Sequence, residues 1–254
     1  MDKKNIINNF SKAASLYDRY ADIQKISASH LLNSIETNGF QNILEIGCGT
    51  GILTKLLMKK FGNARFKAVD ISGKMLEVAK TRLKDERIDF VAGDAEYMPF
   101  DETFDLIASN ACFQWFEDLE KVFVRYRDLL KQDGIISFSI FGPLTFHELG
   151  VSLKNLSEDA FVEAANFVSK ERLKTILEGN FKDVSVEEKI YEEEFRGLKD
   201  LLMKIKYTGT ANSASSGSSF FGPKKLKELE AIYLSKFKRV KATYQIFFCQ
   251  GRSL

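Results

Sequence analysis

The sequence predicts an α/β fold, an open sheet with helices on both faces. Two observations predict it. Apolar runs at 43–46, 66–69, 88–92, 104–108 and 135–141 punctuate the chain, and stretches of helical spacing separate most of them. The first three runs also end in residues suited to a ligand: Gly47-Cys48-Gly49-Thr50-Gly51, then Asp70, then Gly93-Asp94-Ala95.

In chain order, residues 1–40 predict helices. Phe10, Ala13, Ala14, Tyr17 and Ala21 repeat at helical spacing, as do Ile23, Ile26, His30 and Leu31. The run 43–46 is a buried strand, and the glycine turn opens a helix from Ile52 with Leu53, Leu56, Leu57 and Phe61 on one face. A strand at 66–69 leads to a helix over 73–84 built on Met75, Ala79 and Leu83, and 88–92 is the third strand. The fourth strand, 104–108, runs into Ser109-Asn110-Ala111-Cys112-Phe113-Gln114-Trp115. Leu119, Val122, Phe123, Tyr126, Leu129 and Leu130 then make an amphipathic helix stopped near Gly134, and 135–141 is the fifth strand.

Between 142 and about 180 the alternation fails. Phe146, Leu149, Leu153, Phe161, Ala164, Ala165 and Phe167 suggest helices alone, an insertion expected to lie over the strand C-termini, where open α/β sheets bind ligands. A strand at 184–190, a helix at 198–206, a small-residue loop at 208–222 expected to be mobile, a helix carrying Leu226, Leu229, Tyr233 and Phe237, and a strand at 242–248 complete the chain. The 254 residues fit one domain, divided into an N-terminal helical lid (1–40), a cofactor-binding half (41–141), the insertion (142–180) and C-terminal strands and helices (181–254). There is no internal repeat.

Glycines at 47, 49 and 51 let the backbone pass close to a ligand, and the following helix N-terminus offers free N–H donors. Asp70 lies 19 positions beyond Gly51, where an acid commonly takes ribose hydroxyls. A dinucleotide loop favours G-x-G-x-x-G, whereas this one is G-x-G-x-G with Glu45 just ahead. A carboxylate there repels a pyrophosphate but suits the ammonium of a methionine moiety. Asp94 can accept from the exocyclic amine of adenine. These features favour S-adenosylmethionine, with Glu45, Gly47, Cys48, Gly49, Gly51, Asp70, Ile71, Met75, Asp94, Ala95 and Asn110 as its expected contacts.

A net charge of +2 gives no global case for nucleic acid. The three cysteines, Cys48, Cys112 and Cys249, form no C-x-x-C pair, which argues against a zinc site or a disulfide framework and for the reducing cytoplasm. No signal-peptide core and no membrane span is legible, and no metal is expected.

The run Phe10-Ser11-Lys12-Ala13-Ala14-Ser15-Leu16-Tyr17-Asp18-Arg19-Tyr20-Ala21-Asp22-Ile23-Gln24 is the specific one. With the glycine loop, Gly93-Asp94-Ala95-Glu96, the 109–115 segment and Phe146-His147-Glu148-Leu149, it resembles the malonyl-[acyl-carrier protein] O-methyltransferases of the biotin pathway over nearly the whole chain. That resemblance implies a Rossmann-like seven-stranded methyltransferase sheet with its last strand antiparallel. It also implies methylation of the free carboxylate of malonyl-acyl carrier protein, giving an ester that primes pimeloyl synthesis.

Such a carboxyl is ionised at neutral pH, with a pKa of about 4 or below, and needs no general base. Tyr17, Asp18, Arg19, Gln114, Trp115, His147 and Lys206 are the candidate acceptor-side residues, Arg19 and Lys206 for the charge, the aromatics for a dry site. The basic groups Lys224, Lys225 and Lys227, and Lys236, Lys238 and Arg239, either face an acidic carrier protein or, the favoured reading, are a solvated face. Methylation of another small acceptor, a quinone ring or a free carboxylic acid, and a non-catalytic S-adenosylmethionine-binding protein are the rival readings.

Overall fold

A computed structural model describes residues 2–36, 39–158, 160–209 and 222–254. Three helices come first, α1 (Lys3–Ala13), α2 (Tyr17–Tyr20) and α3 (Asp22–Ser34). Then follow β1 (Asn42–Ile46), α4 (Ile52–Lys60), β2 (Arg65–Asp70), α5 (Gly73–Arg82), β3 (Ile88–Ala92), β4 (Phe104–Asn110), α6 (Leu119–Leu129) and β5 (Leu130–Phe141). The remainder is α7 (His147–Leu156), α8 (Lys170–Glu178), β6 (Lys182–Phe195), α9 (Leu198–Tyr207), α10 (Pro223–Phe237) and β7 (Val240–Arg252). The loop expected at 208–222 falls mostly outside the described residues.

The seven strands form one sheet in the order β3-β2-β1-β4-β5-β7-β6. β1 to β5 run parallel, and β7 is antiparallel to both β5 and β6. Ile46 pairs with Val69 on one side and Ser109 on the other, so the ends of β1, β2 and β4 lie side by side. The chain leaves β1 outward through β2 and β3 and returns to β4 on its opposite flank. This reversal opens a crevice at the C-terminal ends of β1 and β4, the usual ligand seat of such sheets.

Alternation along the strands builds two cores. Ile43, Leu106 and Ala108 pack with Leu31, Leu53 and Leu57 on one face. Leu44, Ile46, Ile107, Ile136 and Phe138 pack with Phe123, Tyr126 and Leu173 on the other. Each of these buried leucine, isoleucine and phenylalanine side chains contributes about 1.5–3 kcal/mol, so both faces are firmly covered.

Three elements differ from the sequence expectation. The buried face of α3 is Ile23, Gln24, Ser27, Ala28 and Leu31, while Ile26 and His30 face outward. Small residues let this helix sit close to the sheet, where Ser27 donates to Ser139 of β5 at 2.9 Å. α3 is therefore part of the core rather than of a lid. Likewise α8, expected in the insertion, buries Leu173 and Leu177 against α6 and the sheet. Leu130 opens β5 instead of closing α6.

Candidate functional site

The glycine loop hangs from β2: the amides of Gly47 and Cys48 both donate to the Val69 carbonyl, at 2.8 and 3.0 Å. Gly47, Gly49 and Gly51 have φ of 69°, 56° and 84°, a region costly for residues with a Cβ. The three are not equivalent. A Cβ on Gly47 would collide with Cys112 and one on Gly51 with Leu83, whereas one on Gly49 would meet nothing within 4 Å. Gly47 and Gly51 serve close packing, and Gly49 keeps open space.

That space belongs to a cavity of about 700 Å³, solvent at its mouth included, within the usual range of cofactor sites. Of the expected cofactor contacts, Gly47, Gly49, Asp70, Ile71, Met75, Asp94, Ala95 and Asn110 line it. Cys48 and Gly51 do not reach its wall, being packed into the loop and its flank. Glu45 also lies outside the wall. Its carboxyl is 1% exposed, and Oε2 has no partner among the described residues, nor does the nearby Thr54 hydroxyl oxygen. Burial pushes the Glu45 carboxyl up to about 8.

Asp70 sits in the wall with Oδ2 accepting from the Gly49 amide and Oδ1 from the Ser72 amide, both at 2.8 Å. Burial raises its carboxyl to about 6 against the pull of those two amides. Burial likewise raises the Cys48 and Cys112 thiols, so neither is poised as a thiolate. Asn110 spends its amide on structure, accepting from Ser139 Oγ at 2.8 Å and donating to the Gln24 carbonyl at 3.0 Å. Ala111, next along the wall, holds a φ of 54°, a conformation that alanine adopts only under constraint.

The N-terminal segment covers this crevice. Lys3, Ile6 and Phe10 of α1 line it, and periodicity had not singled them out as site residues. Lys3 Nζ binds Asp94 Oδ2 at 2.6 Å and Glu96 Oε2 at 2.5 Å, and Ser11 Oγ meets Ser72 Oγ at 2.9 Å. Asp94, expected to face an adenine amine, is thus tied to α1 through one oxygen. Phe10 lies between Tyr17 and Trp115, at ring-centre distances of 6.3 and 5.9 Å. Tyr17 lines the cavity, and burial with Asp70 nearby holds its phenol protonated. Asp18 points away from the acceptor side: it accepts from Thr50 Oγ1 at 2.5 Å and pairs with Arg82.

Of the remaining candidates, Trp115 lines the cofactor cavity and a second cavity beside it. Gln114 is buried behind it, donating to the Ala111 carbonyl at 2.7 Å, with its own Oε1 unpartnered among the described residues. Arg19 is exposed beside the Tyr20 ring, Lys206 is exposed beside the Tyr207 ring, and His147 is exposed at the start of α7. None of the three lines either cavity. Lys204, two residues before the expected lysine and on the inward face of α9, lines the second cavity. No group of three or more metal-ligating side chains is present among the described residues.

The residues present fit a nucleoside cofactor carrying a methionine tail: Gly49 leaves the room, and Asp70 places a half-buried acceptor in the wall. A family model described as a methyltransferase domain matches residues 44–138, the stretch bearing the glycine loop, Asp70 and Asp94. The fold is accordingly that of a methyltransferase. The YcgJ protein of Bacillus subtilis superposes with a TM-score of 0.62 at 17% identity, over 90% of this chain and 98% of that one. Phosphoethanolamine N-methyltransferase 2 of Haemonchus contortus, solved with S-adenosyl-L-methionine, does so at 0.60 and 20%, over 96% of this chain and 57% of that one.

Closer likeness is found in sequence. Malonyl-[acyl-carrier protein] O-methyltransferase 1 of Ilyobacter polytropus is 38% identical over 93% of this chain and 88% of its own length. The enzyme of that name from Bacillus anthracis is 35% identical over 98% and 96%. The chain belongs to the malonyl-[acyl-carrier protein] O-methyltransferase family.

Proposed function

We propose that this protein transfers a methyl group from S-adenosylmethionine to the free carboxylate of malonyl-acyl carrier protein. The near full-length likeness to relatives of that name carries the reading. The ester so made removes a negative charge from the acyl end, which suits it as a primer for pimeloyl synthesis toward biotin.

When bound, S-adenosylmethionine supplies a methyl group on a sulfonium sulfur, which leaves with the electron pair of the broken bond. The chain does the rest by binding and exclusion. Asp70 accepts from ribose hydroxyls, giving up or sharing the Gly49 amide. Phe10, Tyr17 and Trp115 close an aromatic wall over the strand ends and keep water out. Opposite charges cancel as the carboxylate oxygen takes the methyl, so a dry site favours the step, while alignment of oxygen, carbon and sulfur supplies the larger share.

No proton has to move. Both histidines lie outside the two cavities: His30 is held by Glu187 on the outer side of α3, and His147 is exposed. A quinol or amine acceptor would need a base here, and the walls offer none with an imidazole. The carrier protein is the macromolecular partner in this reading, with no role for nucleic acid or membrane, and the cytoplasm is its setting. No helix among the described residues is long and apolar enough to cross a membrane.

Incubation with labelled S-adenosylmethionine and malonyl-acyl carrier protein tests the reading. A base-labile ester on the malonyl group is the expected product. Label transferred only to a quinol or a free acid would assign the protein to a different acceptor.

A further inference from the structure

Beyond Trp115 lies a second cavity, between the aromatic side chains Phe141, Phe146 and Phe167 and the polar residues Gln24, Lys204 and Tyr244. We propose that this cavity seats the malonyl end of the acceptor, with the Lys204 ammonium facing its carboxylate side and the Gln24 amide donating beside it. The inference rests on the carboxyl-methyltransferase reading and adds to it the residues that recognise the acid.

The Gln24 amide is the first observation. The residue is 6% exposed, yet its Oε1 has no partner among the described residues. A buried amide is costly to leave unpaired, and evolution usually removes it unless something else satisfies it. Leucine would suit the buried face of α3 as packing. An amide in the wall of a cavity next to the methyl-transfer site instead has a ligand to bind. Its two ends exchange by a half-turn of the side chain, so the –NH₂ can face an acid.

Lys204 is the second. Its side chain is 6% exposed, with Nζ held by Glu193 at 2.5 Å and by Asp22 at 3.4 Å. An ammonium has three donors, so one remains for a ligand. Glu193 is steadied in turn by the Tyr244 hydroxyl at 3.3 Å, and Asp22 is shared with Lys25 at 3.3 Å. Two cations therefore balance two carboxylates before any substrate arrives.

That prior pairing suits the reaction. A buried lysine whose sole counter-ion was the substrate would be left uncompensated each time the acid became a neutral ester. With Glu193 in place, Lys204 keeps its charge through the cycle, attracts the acid and lets the ester go. The Phe146 backbone, at a φ of 59°, holds the opposite wall in a conformation phenylalanine rarely adopts, as constrained binding sites often do.

Malonyl- and acetyl-acyl carrier protein differ in the carboxylate alone, so their binding in the presence of S-adenosylhomocysteine isolates the contact. Calorimetry on the wild type should show a preference for the malonyl form of roughly tenfold or more, the effect of one charge-assisted contact. Gln24→Leu, which leaves the ion pairs intact, should lose much of that preference. Lys204→Met combined with Glu193→Gln, which leaves no buried carboxylate unpaired, should abolish it, and Lys204→Arg should restore part of it. Acetyl-acyl carrier protein and S-adenosylhomocysteine should bind all variants as they bind the wild type. A preference retained in both Gln24→Leu and the double variant would overturn the role of the cavity while leaving the carboxyl-methyltransferase reading in place. A wild type that esterifies malonyl-acyl carrier protein without preferring it over the acetyl form would also overturn the inference alone. A wild type that neither prefers nor esterifies it would overturn both.

Discussion

Asp18 of α2 accepts a hydrogen bond from Thr50 of the glycine loop at 2.5 Å, joining the N-terminal segment to the cofactor side of the molecule. Arg82 completes the joint, pairing with the second oxygen of Asp18 and donating to the Thr50 carbonyl at 3.2 Å. Tyr17 and Phe10, which cover the cavity, are carried by the segment that this joint holds.

Asp18→Ala should therefore act at a distance from the acceptor. The half-exposed pair contributes about 1 kcal/mol at most to global stability. Hydrogen exchange should nonetheless speed up across α1 and α2, and S-adenosylhomocysteine should dissociate faster. Unchanged exchange in that segment would reduce Asp18 to an ordinary surface pair.

The glycines separate packing from binding. Gly47→Ala should lower the melting temperature, because its Cβ meets Cys112. Gly49→Val should abolish S-adenosylhomocysteine binding, since open space lies where its side chain would go, and its left-handed φ should cost only about 1–2 kcal/mol of stability. Thermal melts and calorimetry on both variants check this, and full ligand affinity in Gly49→Val would remove the cavity as the cofactor site.

Asp70→Ala removes a charge-assisted acceptor from the wall, and should weaken S-adenosylhomocysteine binding by about 1.5–3 kcal/mol. In the wild type the carboxyl titrates at about 6, so affinity should also fall as pH drops through that value, and this fall should vanish in the variant. Calorimetric titration between pH 5 and 8 reads both effects.

Glu45 makes folding itself depend on pH. Its folded-state pKa of about 8 stands well above the ~4.3 of an unfolded chain, so the native state holds the proton more tightly. The resulting stability is fully present below pH ~4 and is lost as pH rises through about 8. Denaturant melts of the ligand-free protein should show the wild type losing stability relative to Glu45→Gln between pH 5 and 8, by an amount on the order of a few kcal/mol. Parallel curves would mean that the carboxyl is charged and satisfied throughout.

The sheet was legible because its strands are continuous apolar runs, and the cofactor side because glycines and acids fall at their ends. Helical faces were less so. The inward face of α3 uses Ser27 and Ala28, residues whose small size lets the helix approach the sheet but which carry little hydrophobic signal. In sequence α8 is hard to tell from the insertion because it follows an irregular stretch, although Leu173 and Leu177 pack it into the sheet layer. Lys3 and Lys204 had the least signal. A lysine on an amphipathic helix looks solvated, and what marks these two is a partner across the fold, Asp94 for one and Glu193 for the other. His147, Arg19 and Lys206 have the chemistry expected of a site but stand on the outer surface.

Malonyl-acyl carrier protein against free malonate is the comparison that bears most directly on the function. Both offer the same ionised carboxylate, but only one brings the remote binding energy of a carrier and its arm. With S-adenosylmethionine saturating, kcat/KM for the carrier-bound acid should exceed that for malonate by orders of magnitude, and kcat should stay flat between pH 6.5 and 8 because no base titrates. Malonate as an equal substrate, or a kcat that follows a group titrating near pH 7, would contradict the account.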